Sequence, residues 1–438
     1  MMDAAAHFFL QTLEDEAEED ANEELRKTQL ATAILVVGAE AGRLLRIERR
    51  HENRNYLCRS QLPPNPRHGT AWQALYGSRD DRAFITTMGF DVSTFELIIT
   101  SGFGLLWLSE PIPRNDTSTA GNTRPGARSL DTWGALGLVL HYLNSTMREI
   151  SLQQIFGLIP TTTSRYITFG LEILLKTLRK MPDASIHWPG SLEEFSRNSE
   201  LICYRHPRLS GAFASIDGLN LPTQTSNDPD IENATYNGWL SEHYISSVIV
   251  FSPEGIILDA NFNAPGSWHD SRVAQPIYEK LHSKTPDGFY LVADTAFPRG
   301  TQDIEGRIIA PIKTGQRFRG TLKEIEERFE FDRELLSYRQ TAEWGMRSIQ
   351  GSFGRLRLPL PIEDSNLRAN LLEVCFRLHN LRTRKVGRNQ IQKVYMPEWR
   401  KTKEDKEIWS NFENMVFGEQ RNNDRVSRFH VHAEYQEE

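Results

Sequence analysis

The sequence predicts an α/β domain built on a mixed sheet flanked by helices, preceded by an all-α region. Three observations lead there. From residue 211 the apolar pattern shortens into strand-like runs, "GAFASIDGLNLPTQ", "YISSVIVFSP" and "GIILDANFN". The last two are separated by Pro253-Glu254-Gly255, a hairpin signal. A helical run, "SRVAQPIYEKLHS", then leads to a buried strand, "GFYLVADTAF". Strand, hairpin, helix, strand is the grammar of a mixed sheet with helices on its faces.

The elements follow in order. "RIIAPI" reads as one more short strand. "KEIEERFEFDRELLSYRQTAEWGMRSIQGSFGRL" is a long helical stretch with room for an interruption, and "SNLRANLLEVCFRLHNLRTR" is a last helix. The α/β domain is placed at 211–385, and 391–438 is a polar, charged tail. Upstream, residues 1–27 form an acidic, partly helical tail. Residues 28–128 are mixed, with helices expected over "ATAILVVGAEAGRLLRIERR" and "VSTFELIITSGFGLLWLS" and a turn-rich linker, "EPIPRNDTSTAGNTRPGARS".

Residues 129–181 are strongly helical. "SLDTWGALGLVLHYLNS" opens with Ser129 and has Asp131 in its first turn. "TMREISLQQIFGLI" and "PTTTSRYITFGLEILLKTLRKM" follow after short joints, and the last repeats apolar residues at Ile167, Leu171, Leu174, Leu175 and Leu178. Three such helices resemble a helix-turn-helix. The polar lead of the third, Thr162, Thr163, Ser164 and Arg165, is then expected to meet duplex DNA. The competing reading is a small bundle that only packs.

Composition is that of an ordinary globular chain, 39% hydrophobic and 25% charged over 438 residues. The formal net charge of −7 argues against a nucleic-acid enzyme until its distribution is read. Residues 1–27 hold nine acids and two basic residues, which accounts for the whole −7. Residues 299–400 hold twenty Lys/Arg against thirteen Asp/Glu, a local excess suited to a phosphate backbone. The three cysteines, Cys58, Cys203 and Cys375, are scattered, which fits a reducing compartment and no disulfide framework. Apolar runs such as "ATAILVVGA" are too short for a bilayer, so no membrane partner is expected. The first residues lack a basic n-region and a cleavage pattern, so no secretory signal is expected either. Cys203 with His206 and Cys375 with His379 could be imagined as a zinc site, but a core cysteine and a helix-end histidine is the better reading.

Two acids stand at pointed places: Asp217 in "SIDG" and Asp294 closing "FYLVAD". An Asp that ends a hydrophobic strand is costly beside a core unless it is capped, paired or metal-bound. Function in open α/β sheets gathers at the carboxyl ends of strands. Two such acids on separate strands therefore point to a hard-metal site. Mg²⁺ favours carboxylate oxygens and water, and two ions roughly 3.5–4 Å apart serve phosphodiester hydrolysis or transfer. "PGSWHDS" adds His269 and Asp270 directly after a Pro-Gly turn. They are either auxiliary groups near the acids or turn architecture, with Asp270 capping the following helix.

"SIDG", "PGSWHDSRV", "LVADTAFP", "AEWGMRSIQGSFGRLR" and "FRLHNLR", in this order and spacing, resemble the DDE nuclease domain of PIF/Harbinger-type transposases. The resemblance covers about residues 130–385. It implies an RNase H-like fold, a metal-dependent endonuclease and strand-transfer activity on DNA, and a divalent cofactor, Mg²⁺ or Mn²⁺. It also implies a Myb-like DNA-binding partner and room for an oligomer, and DNA as the inferred substrate implies nuclear localisation. Asp217 resembles the first family acid and Asp294 the second; Asp270 is a further candidate ligand, and His269 an auxiliary group.

The third acid departs from the pattern. The family's Glu stands directly before a Phe-Gly string with two residues between, and here "QGSFGRLR" has Gln350 in that place. Glu343 is the nearest upstream acid. In an unbroken helix it lies about 10 Å from Gln350 along the axis and on nearly the same face. Glu343 is the expected third metal ligand. The runner-up is a catalytically decayed, domesticated transposase that acts as a DNA-binding or scaffold protein. A carboxylate-pair glycosidase lacks the aromatic platform that a sugar would need.

Overall fold

Periodicity of two decides which layer each strand residue joins. The computed structural model describes residues 2–52, 56–113, 123–238, 240–297, 304–312, 318–387 and 433–435. The chain divides into two units, Met1–Cys58 and Arg59–Glu438. In the first, helix α1 (Met2–Glu52) runs straight through the 27/28 boundary drawn from charge, with its side chains from 22 to 49 almost all exposed. The helix has no break there because the residues between Asn22 and Ala33 include no Pro or Gly.

The second unit begins with α2 (Ala71–Ser78), α3 (Asp81–Met88) and α4 (Val92–Ile98). Each starts where a side-chain oxygen accepts a free first-turn N–H: Thr70 from Gln73, Asp80 from Ala83, Asp91 from Thr94. Helix α4 passes through a wider π turn, Ile99–Phe103, into α5 (Gly104–Ser109). Gly102 at φ 135 makes that turn, a conformation closed to other residues. The stretch Val92–Ser109 is long and apolar enough by length and composition to cross a membrane, which the sequence reading missed. Its Phe95, Ile98, Phe103 and Trp107 are buried in the protein core.

Helices α6 (Thr132–Asn144), α7 (Glu149–Phe156) and α8 (Pro160–Leu178) follow as the sequence suggested. The cap of α6 is Asp131, which accepts the Gly134 N–H, rather than Ser129. Gly137 admits the Trp72 ring, which would stand 2.4 Å from a Cβ there. Helix α9 (Leu192–Cys203), between the regions assigned from sequence, was not foreseen.

The strands are β1 (Ala212–Pro222), β2 (Tyr236–Asn237), β3 (Glu242–Phe251), β4 (Ile257–Pro265), β5 (Tyr290–Val292) and β6 (Ile308–Ile309). Short α10 (Pro229–Thr235) precedes β2, and α11 (Asp270–Val273) and α12 (Gln275–Lys284) precede β5. The six strands form one sheet in the order β2-β3-β1-β5-β6, with β4 also paired to β3. Strand β1 is antiparallel to β3 and parallel to β5, and β5 is parallel to β6. Pro253 to Gly255 turn β3 into antiparallel β4, as expected. A separate pair joins β7 (Phe318–Gly320) to β8 (Ala433–Tyr435).

Helix α13 (Leu322–Ser352) is continuous, without the interruption allowed for, and α14 (Ser365–Lys385) closes the described fold. Ala214, Ile216, Val248 and Leu291 pack on one side with Val273, Ile277 and Leu281 of α11 and α12, and Phe213 joins them at the β1 irregularity between Ala212 and Ala214. Leu219, Ile249 and Val292 belong to the other, larger core, with α6, α8, α13 and α14. Each such buried aliphatic or aromatic side chain contributes roughly 1.5–3 kcal/mol. Helix α8 packs on both α6 and α14, so residues 129–181 share a core with the sheet domain. On the same face Gly345 of α13 lies over the Phe251 ring, whose Cζ would be 2.6 Å from a Cβ at 345. Only a glycine lets the helix come that close to β3.

Candidate active site

Strand β1 turns Ser215 and Asp217 toward α13. The Ser215 hydroxyl hydrogen-bonds that of Thr341 at 2.9 Å, which pins the strand to the helix two residues before Glu343. Asp217 is half-buried, and its Oδ1 accepts the Gly218 N–H at 2.9 Å. Burial pushes its carboxyl up to about 6, opposed by that N–H and by the Arg339 guanidinium and reinforced by the charges of Asp294 and Glu343. The two strand acids and Glu343 therefore lie within electrostatic reach of one another, on three different elements.

Asp294 stands two residues after β5, where its Oδ1 accepts the Thr295 N–H. Arg339, one turn before Glu343 on α13, donates to Glu343 Oε1 at 3.0 Å and approaches Asp294 Oδ2 at 3.9 Å. One guanidinium is thus shared by two acids, and its field reaches the third.

Asp270 joins this group. Its carboxyl lies against the Gly218 backbone, with Oδ2 only 2.5 Å from where a Cβ at 218 would stand. Burial raises its pKa, the His269 charge lowers it, and Asp294 raises it further. The cap of α11 is His269 and not Asp270: the His269 ring accepts the Ser271 N–H and pairs with the Ser271 hydroxyl at 2.9 Å. Cap and carboxylate have separate tasks because Asp270, one residue further on, faces back toward β1. Gln350 does not join the acids. Its side chain lines a cleft further along α13, beside Arg347 and Arg357.

The donors fit a hard cation in kind. Asp294 and Glu343 contact Arg339, Asp217 lies within its field, and Asp270 lies within that of Asp294; this is an excess of negative charge in a partly buried place, which divalent cations relieve. They do not fit as a finished cage: among the described residues, no three His, Cys, Asp or Glu groups converge closely enough to hold an ion. The zinc arrangement is likewise absent among them. Cys375 and His379 are buried on α14, where the His379 Nε2 pairs with the Gly255 carbonyl at 3.0 Å.

The expected DNA-contacting lead of α8 is presented in part. Thr161 and Ser164 are exposed, and Thr162 and Arg165 are half-exposed. Thr163 is corrected: it is fully buried, and its hydroxyl donates to the Ile159 carbonyl at 3.1 Å, so it faces the core. Arg165 and Ser164 open on a cleft of about 560 Å³ that also holds Glu149 and Glu172. Neither glutamate was singled out in the sequence; helical spacing from Arg165 to Glu172 was the signal available.

A mixed α/β sheet with one acid on β1 and another just after its parallel neighbour β5 is consistent with a DDE nuclease fold. Residues 216–380 match the family described as DDE superfamily endonuclease, which supports a transposase-like nuclease in this part of the chain. No curated protein and no solved structure matches the chain.

Proposed function

We propose that this protein is a PIF/Harbinger-type, transposase-derived DNA endonuclease and strand-transfer enzyme, with Asp217, Asp294 and Glu343 as its acids and Mg²⁺ or Mn²⁺ as its cofactor. The observation that carries the reading is the electrostatic convergence of these three groups around Arg339. The strand order, with an antiparallel β3 beside a parallel β1-β5-β6 set, supports an RNase H-like fold. Divalent cations at such acids activate the attacking oxygen and stabilise the leaving one.

The chain's own groups have definable tasks. Asp217, fixed by the Gly218 N–H and the Ser215–Thr341 link, offers its remaining oxygen from a rigid strand. Asp294 and Glu343 are held by Arg339, which keeps acids of like charge together before a cation arrives. His269 orients the turn that places Asp270. Ser164 and Arg165, which open on their own cleft at the start of α8, contact duplex phosphates. DNA as substrate brings nuclear localisation with it, and the family resemblance supports a Myb-like partner and an oligomer.

A second reading has its own support. Gln350 replaces the family's Glu, and the acids are not drawn into a closed cage, which favours a catalytically decayed DNA-binding protein. Cleavage of a duplex with Mg²⁺ or Mn²⁺, alongside a metal titration, separates the two. On the enzyme reading Glu343→Gln loses at least about 100-fold in cleavage, the upper range for residues that merely support a ligand, and Gln350→Glu gains no metal affinity. On the decayed reading the wild type does not cleave, and Gln350→Glu gains metal affinity. Undiminished cleavage by Glu343→Gln removes Glu343 from the site.

A further inference from the structure

Gln350 lies in a place that the acids do not explain. Glu343, Arg347 and Gln350 follow at i, i+4 and i+7 on α13, so one helix face runs from the carboxylates to the amide. The distance covered is about 10 Å. At its far end is a cleft of about 570 Å³ between the C-terminal half of β1, the start of β3 and the end of α13. This volume is in the range of small-ligand sites.

Its chemistry is cationic and amide-rich. Arg347 is exposed and has no hydrogen-bond or ion-pair partner among the described residues. Arg357 spends its Nε on the Gln350 carbonyl at 2.9 Å, which aims the rest of its guanidinium into the same cleft. The Gln350 side-chain amide has no partner there. Asn220 accepts from the Ser246 hydroxyl through Oδ1 at 2.8 Å, which leaves its NH₂ group to donate. The one acid of the lining, Glu242, is engaged by the Tyr244 hydroxyl at 2.6 Å.

We propose that this cleft binds the DNA strand flanking the bond that is cut. A phosphate lies between Arg347 and Arg357, and a base edge meets the amides of Gln350 and Asn220. An arginine pair suits a phosphate by charge and by its planar fork. Amides suit a base edge because they both donate and accept. The 10 Å offset equals roughly three nucleotides at 3.4 Å per phosphate of one strand. Gln350 is then a substrate contact, and a carboxylate in its place would lose the amide donor and bring a negative charge close to the strand's phosphates. The choice of DNA as ligand rests on the nuclease reading; the cleft itself does not.

The test is DNA binding by the full chain, without divalent metal, to a labelled duplex oligonucleotide over a range of salt. Arg347→Ala should bind several-fold more weakly, and the slope of log K against log[salt] should lose about one unit. Arg347→Lys should keep the slope. Because Arg347 is exposed and unpaired, the fold tolerates both changes. Gln350→Ala should weaken binding without changing the slope, since no charge is lost. An unchanged affinity and slope in Arg347→Ala overturns the proposal, even if the wild type cleaves DNA. A reduced slope in Arg347→Ala with a wild type that never cleaves keeps the cleft and removes the enzyme reading instead.

Discussion

The carboxyl group of Asp270 occupies the space in which a side chain at Gly218 would begin, its Oδ2 2.5 Å from the position of that Cβ. The glycine of "SIDG" and the aspartate of "SWHDS" are thus one packing unit, formed by residues 52 positions apart in the sequence. Gly218→Ala should push Asp270 out of place and cost about 1–3 kcal/mol, the usual penalty of an overpacked site. Urea denaturation measures it. Adding Asp270→Ala should recover most of that loss, because the clash goes with the carboxyl.

Stability should depend on pH through two opposed sets of groups. The folded-state pKa of Asp217 is raised, to about 6 from 3.8. Its contribution is present at low pH and is lost as pH rises through that window, worth roughly 3 kcal/mol. His141, His206 and His379 are lowered by burial to about 4 from 6.5. Theirs is present above the unfolded value and is lost as pH falls toward 4, also roughly 3 kcal/mol each. Three outweigh one, so the protein should lose stability on acidification from about pH 6.5 to 4. Asp217→Asn should be more stable than the wild type at neutral pH, by up to about 3 kcal/mol, and should lose stability more steeply in acid. Urea melts at stepped pH test both statements.

Arg165 should make a phosphate contact that its neighbours weaken. It opens on the same cleft as Glu149 and Glu172, whose charges repel the DNA backbone. Arg165→Glu should reduce the salt slope of duplex binding by about one unit. The double change Glu149→Gln with Glu172→Gln should tighten binding. An unaltered slope in the first variant would make α6 to α8 a packing bundle only.

Much of this was legible because local pattern and fold agree. The change of apolar period at residue 211, the Pro253 to Gly255 turn and the acid after "FYLVA" each report a strand or its end through nearest-neighbour chemistry. What escaped depends on contacts distant in sequence. Nothing local says that Arg339 joins Asp294 to Glu343, since the three meet only once α13 lies on the sheet. Asp270 was left between a cap and an auxiliary group because caps are read from order along the chain, and only the fold shows its side chain turning to a strand far upstream. Thr163 shared its polar neighbours' appearance, but a helix of 3.6 residues per turn sends one member of any such run inward. The extent of α1 was missed because its charge pattern changes midway while its backbone does not.

The Phe251 ring under Gly345 sets the height at which α13 rides over the sheet, and Glu343 stands two residues from that point. A methyl group there would lift the helix and carry the acid away from the strands, with every carboxylate still in the sequence. A lineage in which this site has fallen silent need not show a missing acid. Counting aspartates and glutamates across related chains would score such a fossil as alive, and the residue to read beside them is a glycine.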